Sequence, residues 1–257
     1  MDQRSLLDAN EGAPVKVLFP NAASAVVIAC EHASNTLPRA LGDMGLDPAA
    51  RNSHIAWDPG ALALAEFMGQ ALDATVVAAN FSRLAYDCNR PPDADAAMPA
   101  QSEIFSIPGN QALSATARQA RVAALYDPFH AALGHALAAR GPKAVLVTMH
   151  SFTPVYFGKP RAVELGILHD DDSRLADAML ALAPAFTGLK CERNQPYGAI
   201  DGVTHTLQRH AIAQRLLNVM IEVRNDTIAD DAQQKIQADM LAQLVTAALH
   251  QINAAGL

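Results

Sequence analysis

The stretch Ala144–Pro154, AVLVTMHSFTP, constrains this chain more than any other. A short apolar run rich in β-branched residues reads as a buried strand, and the Ser, Phe, Thr and Pro that follow end it, leaving His150 at its carboxyl end. Three further runs also close on polar residues: VVIACEH (Val26–His32), SRLAYDCNR (Ser82–Arg90) and VMIEVRND (Val219–Asp226). The segments between them carry apolar residues at helical spacing. Strands alternating with helices imply a sheet covered by helices, and such sheets place ligands beyond the carboxyl ends of their strands. The expectation is an α/β three-layer sandwich with a mixed, mostly parallel sheet, whose strand ends gather one polar site around His150.

Composition narrows the function. Hydrophobic residues make up 51% of the 257, ample for a sizeable core, and a net charge of −7 argues against a nucleic-acid or anionic-membrane surface. No apolar run approaches the roughly 18 residues of a membrane span, and MDQRSLLDANEGAP lacks the apolar core of a signal peptide. These features lead us to expect a cytoplasmic protein, monomeric or a small homo-oligomer, acting on a small molecule. Cys30, Cys88 and Cys191 are odd in number and form no CxxC pair, so neither a disulfide framework nor a thiolate zinc site is indicated. One domain over residues 1–257 is expected, with residues 1–14 as an extension the fold does not need.

The remaining elements follow from pattern. Val15–Phe19 reads as a short edge strand, Ala25–Cys30 and Thr75–Ala79 as strands, and Phe81–Asn89 as a second arm of a hairpin or a bent strand. Asp58-Pro59 reads as the cap and first position of a long helix. Pro91–Gln111 is irregular and proline-rich, a loop able to cover the strand ends. Ala112–Arg140 is helical in period with a break near Asp127-Pro128. Val163–Leu168 is a strand, Asp172–Leu182 a helix, Cys191–Gly202 a turn-rich loop and Thr204–Arg215 a helix. Leu217–Val223 is the last strand and Ala232–Ala254 the closing helix.

Several residues carry chemistry. His32 and His150 stand just past two strands, a matched placement that suits metal ligands. Glu222 lies inside an apolar strand, where a carboxylate is costly unless paired. It is either a buried partner of Arg224 or another Arg, or a general base with a tuned pKa. Arg83 and Arg90 lie in one segment, and a guanidinium fork suits a carboxylate.

Together MHSFTP, IEVRND, YDCNRPP and CEHASN resemble the N-formylglutamate amidohydrolase family, which is itself similar to zinc carboxypeptidases and aspartoacylase-type deacylases. The resemblance runs from about Ala25 to Asp226 and implies the carboxypeptidase-like (phosphorylase/hydrolase-like) fold. It also implies zinc, with His32 and His150 as ligands, Glu222 as general base, and Asn89-Arg90 gripping a substrate carboxylate. Where the carboxypeptidases carry a ligand Glu three residues after the first His, this chain has Asn35, a poor zinc ligand. Asp58 is the replacement third ligand, with the helix N-cap as its alternative role, and Glu31 is the next candidate.

The implied reaction is hydrolysis of N-formyl-L-glutamate to formate and glutamate. Arg83 would take the second carboxylate or steady the oxyanion. Ser151, His205, Arg224, Asn194 and Tyr197 are further substrate contacts, with His210 a rival to His205. Three other readings remain open: a zinc deacylase or amidase for another N-acyl amino acid or peptide-like amide, a serine hydrolase using Ser34 or Ser151, and a non-catalytic small-molecule binder on the same fold.

Overall fold

A computed structural model describes residues 6–255. A seven-stranded sheet organises them. Its strands in chain order are β1 (Val15–Leu18), β2 (Val26–Cys30), β3 (Thr75–Ala79), β4 (Val145–Phe152), β5 (Leu165–Leu168), β6 (Cys191–Arg193) and β7 (Leu217–Arg224). Side by side they run β1-β3-β2-β4-β7-β5-β6. The four middle strands β3, β2, β4 and β7 are parallel; β1 and the β5–β6 pair run opposite to them. The sheet is mixed and mostly parallel.

The helices are α1 (Pro48–Asn52), α2 (Ala61–Leu72), α3 (Ala115–Arg121), α4 (Asp127–Ala138), α5 (Arg174–Phe186), α6 (His205–His210) and α7 (Asp231–Ala255). Every residue of β2, β3 and β4 is buried, which is why these strands are apolar almost throughout. The period of two sorts their side chains between two cores. Val26, Ile28, Val145, Val147, Val219 and Ile221 join α2, α5 and α7 in one. Val27, Ala29, Leu146 and Met220 join Phe129, Leu133 and Leu137 of α4 and Leu207 of α6 in the other. Each such aliphatic side chain taken fully from water contributes roughly 1.5–3 kcal/mol, so burial on both faces anchors the sheet that carries the site.

The structure departs from expectation in places that bear on function. Ser82–Arg90 is not a strand but a run of turns. Ser82 Oγ donates to the Ala56 carbonyl at 2.7 Å and accepts from the Leu84 N–H at 3.1 Å, while Asp87 Oδ1 accepts from the Asn89 N–H at 2.9 Å. Short polar side chains that bond their own backbone offer the chain an alternative to a sheet ladder. The long helix starts later than expected, at Ala61, and its N-cap is Gly60 at φ 81°, not Asp58. A Cβ there would lie 2.9 Å from the Ile228 carbonyl oxygen, so the position requires glycine on two grounds.

Helix continues from α3 to α4 through a π-helical turn at Val122–Tyr126 rather than breaking at Asp127-Pro128. The wider turn makes room for a proline ring that would otherwise meet the carbonyl one turn back. Thr204–Arg215 shortens to α6 and a 3-10 turn. Residues 1–5 of the expected extension lie outside the described residues. The rest of it is tied down: Leu6 and Leu7 pack on the second core, and Asn80 donates through its backbone and its side chain to the Pro14 and Ala13 carbonyls. No helix among the described residues is long and apolar enough to cross a membrane.

Candidate active site

The parallel register sets Glu222 of β7 directly beside His150 of β4. Ala29 of β2 pairs with Thr148 of β4 on the other side, and two residues further along each chain come Glu31 and His150. Parity places Glu31, His150 and Glu222 on the α4 and α6 face of the sheet, at the carboxyl ends of three parallel strands. Asp58 arrives from the loop before α2, where its backbone N–H donates to the His32 carbonyl at 2.9 Å.

These side chains converge. His150 Nδ1 lies 3.2 Å from His32 Nδ1 and 3.0 Å from Asp58 Oδ2, and His32 Nδ1 lies 3.2 Å from the same oxygen. The outer nitrogens are matched to carboxylates: His32 Nε2 meets Asp87 Oδ1 at 2.7 Å, and His150 Nε2 faces Glu31 Oε2 at 3.3 Å. A carboxylate that faces Nε2–H keeps the proton on that nitrogen and leaves the Nδ1 lone pair pointing inward. Two such nitrogens and a carboxylate oxygen this close repel one another unless positive charge sits among them, as a shared proton or a metal cation. All three residues are buried.

The surrounding pKa shifts report the same demand. Burial by itself would raise Asp58, yet the two histidines hold it far below the ordinary carboxylate range. Asp87 is likewise buried and is drawn down by Arg83 and His32. Burial works against a charge on His150, but Glu31 and Asp58 outweigh it and raise its pKa. Glu222 is the exception. Burial dominates there and pushes it up to about 7, Asp58 adding to the rise and His150 opposing it. Its Oε2 is buried without a hydrogen-bond partner.

The cluster opens on a cavity of about 500 Å³, lined by His32, Asp58, His150 and Glu222 on its floor. Ser102 from the Pro91–Gln111 segment and Tyr156 from the loop after β4 border it, as does His54. Glu103 ties these parts together, accepting from His54 Nε2 at 2.9 Å and from the Phe157 N–H at 2.7 Å.

The structure separates the expected site residues into groups. His32, Asp58, His150 and Glu222 come together, with Glu31 behind His150. Arg90, Asn89, Ser151 and Tyr197 line the cavity. Asn89, however, uses its side chain to hold the Val203 carbonyl and the Thr206 N–H. Ser151 Oγ donates to the Pro59 carbonyl at 2.7 Å. Arg83 is not free for a substrate carboxylate, because it pairs with Asp87 at 2.6 Å and Asp58 at 3.5 Å.

Others fall away from the cavity. Asn35 donates to Asn52, and Ser34 Oγ accepts from the Thr36 N–H. Arg224 pairs with Glu164 and Asp226, not with Glu222. Asn194 accepts from the His169 N–H. His205 meets the Tyr126 hydroxyl at 2.8 Å, and His210 meets His130 at 2.8 Å. Neither Ser34 nor Ser151 is hydrogen-bonded to a histidine, so the serine-hydrolase constellation is absent among the described residues. Sequence reading missed Asp87 and Arg161. Asp87 sits inside the quoted YDCNRPP motif, where an acid beside Cys and Asn after an apolar run was the available signal. Arg161 gave only its closeness to Tyr156 and Phe157.

Residues 24–229 match the family model of N-formylglutamate amidohydrolase. The crystal structure of gene product Atu2144 from Agrobacterium tumefaciens is 51% identical, with a TM-score of 0.94 over 96% of this chain and 99% of that one. N-formylglutamate amidohydrolase from Ralstonia eutropha JMP134 shares the fold at 21% identity, with a TM-score of 0.62 over 95% of this chain and 100% of that one. No curated protein matches the chain.

Proposed function

Since the chain belongs to the N-formylglutamate amidohydrolase family, hydrolases of an amide C–N bond, we propose that it cleaves N-formyl-L-glutamate to formate and L-glutamate with a divalent cation held by His32, Asp58 and His150. One observation carries the cation: two inward Nδ1 atoms and a carboxylate oxygen within 3.0–3.2 Å of one another, each histidine backed by its own carboxylate. Nitrogen and oxygen donors in this number suit zinc with a coordination position left open, and the same set accommodates other first-row cations. Bound there, the cation would supply a Lewis acid that polarises the formyl carbonyl and acidifies a water.

The chain's own groups do the rest. Asp87 and Glu31 orient the two imidazoles and hold their Nε2 protons away from the centre. Glu222, with a carboxyl pushed to about 7 by burial, is poised to take a proton from the water that attacks the formyl carbon. The same carboxyl then delivers that proton to the departing nitrogen, so the C–N bond breaks toward a neutral amine rather than an amide anion. Arg90 at the cavity wall binds a substrate carboxylate and fixes the formyl group over the floor. The strand-end placement of His150 and Glu222 also supports kinship with the zinc carboxypeptidases within this proposal.

A deacylase of wider range is the competing reading, and a panel of N-formyl-, N-acetyl- and N-succinyl-L-glutamate separates the two. We expect hydrolysis of the formyl compound to exceed that of the others by at least tenfold in kcat/KM, on the order of 1.4 kcal/mol. Equal or greater hydrolysis of the acetyl or succinyl compound would replace the formamide assignment.

A further inference from the structure

Three guanidinium groups border the cavity, and carboxylates neutralise only one of them. Arg83 is held by Asp58 and Asp87. Arg90 donates instead to the backbone carbonyls of Asn89 and Gly202. Arg161 donates to the Thr153 carbonyl at 3.4 Å and to the Tyr197 hydroxyl at 2.9 Å. Among the described residues no carboxylate pairs with Arg90 or Arg161. In a chain of net charge −7, two unneutralised guanidiniums facing one cavity stand out.

Arg161 is also held in place more firmly than a surface arginine. Its guanidinium carbon lies 4.4 Å from the centre of the Tyr156 ring, 4.8 Å from that of Tyr197 and 5.6 Å from that of Phe152. Its backbone N–H donates to the Pro154 carbonyl at 2.8 Å. Its own carbonyl accepts from Arg224 at 3.1 Å, and Arg224 is anchored to Glu164 and Asp226. Aromatic faces fix the plane of a guanidinium while leaving its edge to donate, and a planar fork with donors to spare matches a carboxylate.

We propose that Arg161, caged by Tyr156 and Tyr197, determines specificity by holding the side-chain carboxylate of an acidic N-acyl amino acid, while Arg90 holds the α-carboxylate. This inference rests on the function proposed above and adds to it the reason for an acidic substrate. N-formylglutamate carries two carboxylates and meets two free guanidiniums. A neutral side chain leaves the Arg161 charge without a partner, and sites that leave a polar group unpaired discriminate most strongly.

The test compares N-formyl-L-glutamate with N-formyl-L-glutamine, its neutral near-isostere, on the wild type, Arg161→Met and Arg161→Lys. The wild type is expected to prefer the glutamate compound by about 10- to 150-fold in kcat/KM, the worth of a hydrogen bond to a charged group. Arg161→Met should lose that factor on N-formyl-L-glutamate and with it the preference over N-formyl-L-glutamine, and Arg161→Lys should keep part of the preference. An equal fall on both substrates, or a preference that survives in Arg161→Met, overturns the assignment. Calorimetric binding of L-glutamate against L-glutamine separates this inference from the hydrolysis it rests on. Arg161-dependent selection of glutamate by a protein that cleaves no formyl amino acid would uphold the subsite and sink the proposed reaction. Cleavage indifferent to Arg161 would do the reverse, and the absence of both would remove both.

Discussion

His32 and His150 turn the same nitrogen, Nδ1, toward each other, and each is backed on the far side by an acid. Glu222, one strand over from His150, has no such partner, and burial raises its carboxyl to about 7. The contrast in pKa direction supports the division of roles proposed above, in which the acids held charged beside the imidazoles orient ligands and the raised one moves a proton. Glu222→Gln preserves shape and removes the base. We therefore expect metal content to match the wild type while kcat falls by roughly 10²- to 10⁴-fold; near-normal turnover would remove Glu222 from the mechanism. Glu222, His32 and His150 were legible in the sequence because a carboxylate inside an apolar strand and histidines at strand ends are costly or conspicuous wherever they fold. The pairing of Arg83 with Asp58 and Asp87 was not legible, because these partners come from loops whose approach no local pattern encodes. Arg161 was invisible for the same reason, its cage being assembled from two separate loops.

At the level of elements, the strands that deliver the site were readable and the turns that complete it were not. β2, β4 and β7 are short runs dominated by apolar residues and buried on both faces, a pattern that reads as strand. Ser82–Arg90 is less apolar and spends Ser82 and Asp87 on its own backbone, which turns the chain and sends Asp87 to His32. The entry to α2 shows a similar substitution of roles. Gly60 takes the cap and Asp58, released from it, joins the cluster. Gly60→Ala meets a left-handed backbone and the Ile228 carbonyl together, so we predict a loss of about 1–3 kcal/mol by chemical denaturation. Because that strain falls two residues from Asp58, activity should fall beyond what the loss of folded protein explains. An unchanged denaturation midpoint would show that the loop tolerates a side chain there.

Across the whole molecule, the second core carries a buried imidazole chain behind the site. His130 Nε2 donates to the Cys88 carbonyl at 2.9 Å, which leaves its Nδ1 to accept from His210 Nε2 at 2.8 Å. Burial, more than the neighbouring charges, lowers His130 to about 3 and His210 to about 4. Both are neutral in the fold at pH values where the unfolded chain, with a pKa near 6.5, takes up protons. The stability they contribute is complete above about 6.5 and is lost as pH falls toward 4, at most about 1.4 kcal/mol per pH unit for each group. His210→Gln removes one of them. The stability gap between wild type and variant should therefore narrow between pH 7.5 and 4, and a gap that stays constant would contradict a neutral His210. The central proposal concerns the other histidines, His32 and His150: that with Asp58 they hold a cation and that the reaction needs it. The most direct measurement is glutamate release from N-formyl-L-glutamate by the purified protein as isolated, after chelation, and after zinc is restored. Activity lost on chelation and regained with zinc is the predicted result. Full activity in protein shown by elemental analysis to be free of metal would contradict the account.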